Sequence, residues 1–556
     1  SVQYCFLYWF TGIAGGTWLK AFPFHGLWGL RLAGVLTITA TAWTAHRMLQ
    51  PFVRRPVLQA ALALIVIFMN TEPRDLNYNA FSAWLYFSTA SLLFFGMTKK
   101  RPMLILAAGA LVGLNMLARL PNLLGLGMGL ILFWHAHETE HSWKRAWKQF
   151  SLFLAGFLAA VAISLLFMKA IGHLDLYWRS LRSLFVMSAD ARKGDGVDQA
   201  YSLGNLAYNL IKQNGISVMG AAFYLGLVLF AALLRNKRSG SEWGKIAAIT
   251  FTLIVSCGLS ALAIFGKLKF ISLLYLYTGI SIVCGLLILA SSGNRDRRTL
   301  VLLGGFILLV HPFGSAPGIE SVGLYSLWLC FPLAVQYLVG IRTVDTSIKL
   351  AGNGSVQEHQ IVADSGFLRT AWWATAAFIV FFCGQQLIRK PYFYDEHPRS
   401  TMTASVDNPN MKFILTSPGR AASVNALLAE SAKYIKPGDR VLAYDCIPMY
   451  HFMTETRPWL DNPAPLFYAT GIFRAELSRA ESTRALPVVV MQKVRTVHEG
   501  GKWPEEKLPE DYMTDQKNLG RNLEMKDFLA RHNYREVWNN NAFRILLPGQ
   551  ETSLTK

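Results

Sequence analysis

Charge is scarce in this chain: Asp, Glu, Lys and Arg make up 16% of its 556 residues, against roughly a quarter in a soluble domain. With 53% hydrophobic residues and a mean hydropathy of +0.30, the composition excludes a soluble enzyme and requires apolar side chains to face lipid. Cysteine is also sparse. The six lie at positions 5, 257, 284, 330, 383 and 446 with no CxxC spacing, which excludes a disulfide framework or a zinc site built on such a motif. Neither GxGxxG nor GxxxxGK[ST] occurs, so nucleotide binding has no support. A short basic segment followed by an apolar core and a small-residue cleavage site, the mark of a secretory signal, is missing too. No repeat of fixed period is found and the two halves do not mirror one another, which weighs against a transporter of inverted repeats.

Long apolar runs are what the chain has. They fall at about 27–46, 57–69, 80–97, 102–118, 122–134, 150–168, 216–234, 246–266, 270–290, 299–311, 322–341 and 368–387. The expected fold class is therefore an α-helical polytopic membrane protein of about 12 spans, several of them short of the roughly 20 residues that a straight crossing needs. The net charge of +20 is spread in small groups between these runs, as topology signals are, and not gathered on one face as a nucleic-acid binder would have it. Groups such as Arg54/Arg55, Lys99/Lys100/Arg101, Lys144/Arg145/Lys148 and Arg295/Arg297/Arg298 occupy alternate loops, which puts those loops in the cytoplasm. The alternation requires 102–134, broken at Arg119-Leu120-Pro121, to be a hairpin of two short helices. Residues 1–390 form the membrane domain in this reading. Residues 391–556 leave the last span on the non-cytoplasmic side, and the compact loops favour a bacterial inner membrane with a periplasmic tail.

The tail reads differently. A helical run SVNALLAESAKYI (423–435), a strand VLAYD (441–445), a second strand PVVVMQ (487–492), a helix near 523–531 and a strand FRILL (543–547) predict a small α/β domain.

Polar residues at the non-cytoplasmic mouth are the candidates for chemistry. One loop holds Glu72, Arg74, Asp75, Asn77 and Tyr78 within a few residues. Its carboxylates could take a proton from a hydroxyl or hold a divalent ion such as Mg or Mn, and Arg74 could grip phosphate in a bidentate way; alternatively Asp75 or Asn77 only caps the following helix. Arg119 interrupts an apolar hairpin, where a charge is costly without a cavity or a partner, and either meets a lipid phosphate or snorkels to the interface. Lys267 and Lys269 form a basic turn that suits an anionic headgroup. His311 opens the turn-rich loop HPFGSAPG and could bond substrate or serve structure. The loop at 170–214 is long enough to act as a lid.

Three segments carry a resemblance: LYWFTGIAGGTWLKAFPFHGLWGLRLAGVLTITATAWTAHRML (7–49), LVGLNMLARLPNLLGLGMGLILFW (111–134) and AESAKYIKPGDRVLAYDCIPMYHFMTETRPW (429–459). With the acidic loop, the hairpin, the long loop and the α/β tail, the chain resembles the GT-C superfamily of polytopic glycosyltransferases, the group of protein O-mannosyltransferases and lipid A aminoarabinose transferases. The resemblance implies about thirteen spans, a polyprenyl-phosphate sugar donor, a lipid, glycan or protein acceptor, and essential acids in the first outer loop and often the second. Glu72 or Asp75 would match the second position. Residues 1–26 contain neither Asp nor Glu, so the first acid is expected upstream of Ser1, or the chain is a divergent or inactive member. Competing expectations are an oligosaccharide polymerase or ligase using a diphosphate-linked glycan, and a non-catalytic transporter or scaffold.

Overall fold

The computed structural model describes residues 5–22, 26–69, 75–190, 203–234, 270–315, 317–340, 345–352, 355–362, 365–389, 399–468, 470–496, 503–505 and 516–549. Its first part is a helical bundle: α1 (Trp9–Ala21), α2 (Leu27–Leu49), α3 (Arg55–Phe68), α4 (Tyr78–Thr98), α5 (Pro102–Ala118), α6 (Leu130–Glu140), α7 (Trp143–Ala170), α8 (Leu174–Asp190), α9 (Leu203–Leu234), α10 (Phe270–Ser291), α11 (Arg295–Val310), α12 (Ile319–Val322), α13 (Cys330–Gly340) and α14 (Ser365–Arg389). Local chemistry sets many of the starts. Proline occupies the first turn of α3 and α5, where its missing N–H costs nothing. Asn77, Ser142 and Asn294 accept the backbone N–H three residues on, at 2.8, 3.4 and 2.9 Å, and so begin α4, α7 and α11.

Glycine lets the helices touch. A Cβ on Gly109 of α5 would stand 1.8 Å from the Phe153 carbonyl oxygen, and one on Gly156 of α7 would stand 1.9 Å from that of Leu106. The two backbones are thus in direct contact, the close approach that small residues permit between helices in lipid. Gly279 of α10 meets the Ser217 carbonyl of α9 in the same way.

Three of the described helices are long and apolar enough to cross a membrane, spanning Tyr78–Thr98, Trp143–Ala170 and Ser272–Ser291. Helices over Arg55–Phe68, Pro102–Ala118 and Trp372–Gln385 are apolar but shorter, so the expected count of about 12 spans is not established by the structure. The run expected at 322–341 is not one straight helix: Ile319–Ser326 and Cys330–Gly340 meet at 68°. Likewise 122–134 is a 3₁₀ stretch, Leu120–Gly129, passing into α6 rather than one short α-helix. The expected span at 246–266 lies outside the described residues. An antiparallel hairpin, β1 (Asp345–Gly352) with β2 (Ser355–Val362), stands between α13 and α14.

The tail carries a short pair, β3 (Ala404–Ser405) with β4 (Leu415–Thr416), and then the predicted α/β layers. Its sheet contains β5 (Arg440–Tyr444), β6 (Arg457–Pro458), β7 (Val488–Gln492), β8 (Arg535–Asn539) and β9 (Phe543–Leu547) in the order β6-β5-β7-β9-β8. The β5 strand is parallel to β6 and β7, while β9 runs antiparallel to β7 and β8. Strand alternation splits the core in two. Val441, Ala443, Val490 and Ile545 pack against α15 (Pro418–Ser431) through Val424 and Leu427. Leu442, Tyr444, Val489, Met491 and Leu546 pack on α17 (Thr470–Thr483) and α18 (Gln516–Arg531) through Phe473, Leu477, Met525 and Phe528. The short helix α16 (Met449–Thr454) joins β5 to β6.

The tail rests on the start of α2. A Cβ on Gly26 would lie 2.2 Å from the Asn410 carbonyl oxygen, and Gly26 has a φ of +85°, so the position is suited to glycine on two counts. Beside it Trp28 and Phe413 meet edge to face at 6.1 Å.

Candidate functional site

The tail-bearing end of the bundle is also where the chain enters α4. Leu76 donates its N–H to the Leu30 carbonyl at 3.0 Å, tying this entry to α2. Asn77 performs the capping role, accepting from Ala80, and its Nδ2 reaches the Tyr325 hydroxyl at 3.4 Å. The exposed ring of Tyr78 stacks on Tyr8 with centroids 4.2 Å apart. Asp75 is half-buried, and its Oδ1 has no hydrogen-bond partner among the described residues; the same holds for Asn79 Oδ1. Glu72, Arg74, Lys267 and Lys269 lie outside the described residues.

The structure joins Arg119 and His311. Arg119 is buried, 2% exposed, and donates through Nη1 to the His311 carbonyl at 2.6 Å and through Nη2 to the Phe313 carbonyl at 3.0 Å. His311 follows the last turn of α11, where backbone carbonyls have no partner within the helix and the dipole favours a cation. The guanidinium is therefore a clamp between the hairpin turn and the loop after α11. Pro121 packs against Gly314, where a Cβ would fall 2.3 Å from the proline Cγ and φ is +81°. The ring of His311 is fully buried, with Nδ1 3.1 Å from Ser326 Oγ and Tyr86 edge-on at 5.4 Å. Behind it Asn122 Nδ2 donates to Ser82 Oγ and to Asn115 Oδ1, both at 2.9 Å. This polar seam fixes the loop from His311 to Ser326 against α4 and α5, and Tyr325 carries the connection on to Asn77.

Sequence reasoning passed over Glu320, which sits between the HPFG turn and an apolar run. It is exposed on α12, and the Tyr275 hydroxyl of α10 donates to its Oε1 at 2.6 Å. The turn that presents it is held from α9. Gln213 accepts the Ile319 N–H at 2.7 Å and donates to the Pro317 carbonyl at 2.9 Å. The signal was available as an acid in the first turn after a Pro-Gly pair, Pro317-Gly318-Ile319-Glu320, at a helix start, a position that anions favour.

No group of three or more His, Cys, Asp or Glu side chains able to hold a metal occurs among the described residues. No protein-family model, curated protein or solved structure matches this chain. The loop after α11 carries the Glu320 carboxylate and the Tyr325 hydroxyl, and Tyr325 meets the Asn77 amide, two residues after Asp75.

Proposed function

We propose that the protein is a membrane glycosyltransferase moving a sugar from a polyprenyl-phosphate donor to a hydroxyl acceptor at the tail-bearing face of the bundle. One observation carries the reading: the half-buried Asp75, whose Oδ1 has no hydrogen-bond partner among the described residues, directly precedes Leu76, which bonds to α2, the helix on whose start the folded tail rests. The Asp75 carboxylate is assigned to receiving the acceptor's hydroxyl proton as the acceptor oxygen bonds to the anomeric carbon. The bond from that carbon to phosphate oxygen breaks, and polyprenyl phosphate leaves with the bonding pair. Glu72 is the alternative base within the same loop. Arg74, Lys267 and Lys269 are assigned to neutralising the leaving phosphate, with a divalent cation such as Mg or Mn as a further candidate for that role. A donor already carrying phosphate needs no nucleotide site, in agreement with the missing nucleotide motifs. Basic residues in alternate loops support placing this face outside the cytoplasm, and the segment resemblances support the GT-C class. In this reading the protein is a multi-pass protein of a bacterial inner membrane.

The test uses the full chain in phospholipid vesicles with radiolabelled polyprenyl-monophosphate sugars and an envelope extract as acceptor source. Labelled product forms with the wild type, and Asp75→Asn lowers turnover by about 10²-fold or more while the protein remains monodisperse. Unchanged turnover in Asp75→Asn removes Asp75 from the reaction, and transfer only from diphosphate-linked glycans replaces the donor class.

A further inference from the structure

The opposite end of the bundle holds a second constellation, in the sequence His135-Ala136-His137-Glu138-Thr139-Glu140-His141 that ends α6. His137 and His141 are one helical turn apart, both exposed, with ring centroids 5.1 Å apart and planes at 57°. His137 lies on the last turn of α6 and His141 is the left-handed residue that caps it, which brings two imidazoles side by side at the helix end, a pairing able to chelate metal. With each nitrogen about 2.1 Å from a metal and each ring centre about 1.1 Å beyond its nitrogen, a tetrahedral angle puts the centroids about 5 Å apart. The rings already stand at that distance.

The backbone fixes where the second ring starts. His141 has φ +51°, in the left-handed region, and its N–H bonds to the His137 carbonyl at 3.3 Å. A helix end of this kind is cheapest with glycine, and here an imidazole occupies it. The scaffold beneath is fixed. Thr139 Oγ1 donates to the His135 carbonyl at 2.8 Å, and Glu138 is held by Arg298 at 3.3 Å, itself stacked on Trp134.

We infer that His137 and His141 form a chelating site for a borderline divalent metal, Zn²⁺, Ni²⁺ or Cu²⁺, with water completing the coordination. Imidazole nitrogen selects these ions over Mg²⁺ or Ca²⁺, which prefer oxygen. The site lies at the end of the bundle away from Asp75, so it is separate from the proposed transfer site and does not depend on it. It is an inner-face site in the orientation given above.

The full chain is purified in detergent through a tag free of histidine, equilibrated with Zn²⁺, and assayed for bound metal after gel filtration. The wild type retains one equivalent more than His137→Ala or His141→Gly. Glycine suits the φ of residue 141, so His141→Gly keeps the helix end and its elution profile, which separates loss of metal from loss of fold. His46→Gln, on another helix, keeps the full complement. Equal zinc content in the wild type and His141→Gly overturns the inference, as does equal retention of Mg²⁺ and Zn²⁺ by the wild type.

Discussion

Replacing Arg119 by glutamine separates a structural cation from a substrate-binding one. The side chain makes two charge-assisted bonds, to the carbonyls of His311 and Phe313. Each such bond contributes about 1.5–3 kcal/mol, so their joint loss is on the order of 3–6 kcal/mol before compensation. Removing a buried charge returns part of that, because its desolvation cost disappears with it. A net loss of about 3 kcal/mol is expected, which is roughly a 150-fold change in the ratio of intact to opened clamp. Scaled by the usual dependence of melting temperature on stability, the midpoint falls by on the order of 5 °C at a fixed scan rate in detergent. Gly314→Ala attacks the same seam from the other side, since its Cβ would enter the Pro121 ring at a φ that disfavours alanine, and should lower the midpoint without touching a charge. Donor KM is expected to stay within about two-fold in Arg119→Gln, because removing uniform binding is what raises KM. An unshifted midpoint together with a steep rise in donor KM would refute the clamp and return Arg119 to the phosphate.

Two further outcomes follow from packing and burial. Gly156→Val drives a side chain into the Leu106 carbonyl, an overpacking that costs at least about 1–3 kcal/mol, and the fraction recovered as monodisperse protein should drop sharply. In the tail, burial pushes the His451 imidazole down to about 4 from an ordinary 6.5. The folded domain therefore favours the neutral ring. This contribution is complete above about pH 6.5 and is lost as pH falls from there toward 4, to an extent of at most about 3 kcal/mol. Hydrogen exchange over residues 449–456 should accelerate across that window, and His451→Gln should flatten the response; an equal pH response in both proteins would show that His451 is not its source.

Legibility in the sequence followed the reach of the interactions. Strands β5, β7 and β9 were visible because each is a short apolar run bounded by turn formers. The edge strand β8 reads Arg535-Glu536-Val537-Trp538-Asn539 and is mostly exposed or half-buried, so it offers no apolar alternation to find. Helix α17 went unseen for a similar reason, since only Phe473, Leu477 and Ala480 mark its buried face. The cap at Asn77 was legible because the N–H it accepts from lies three residues away, whereas the partners of Arg119 lie 192 and 194 residues away. Glu320 was hidden by its setting: hydropathy runs straight from Ser321 into the following segment, and the 68° bend leaves no mark in that average. Asp461 shows a third kind of gap. Burial pushes its carboxyl up, but Arg484 and Arg440 outweigh that and hold it below its usual range, and the three residues are scattered over 44 positions.

The seat of Asn410 on Gly26 bears on how such a chain can be rearranged over time. At the centre of the joint a tail carbonyl stands against a bare Cα, a contact that no exchange of side chains can adapt, while the Trp28–Phe413 pair beside it can change. A tail grafted from another bundle would fit only where the receiving helix also opens with a residue lacking a Cβ. A chimera that keeps Gly26 should therefore accept a foreign tail more readily than one that merely keeps the linker.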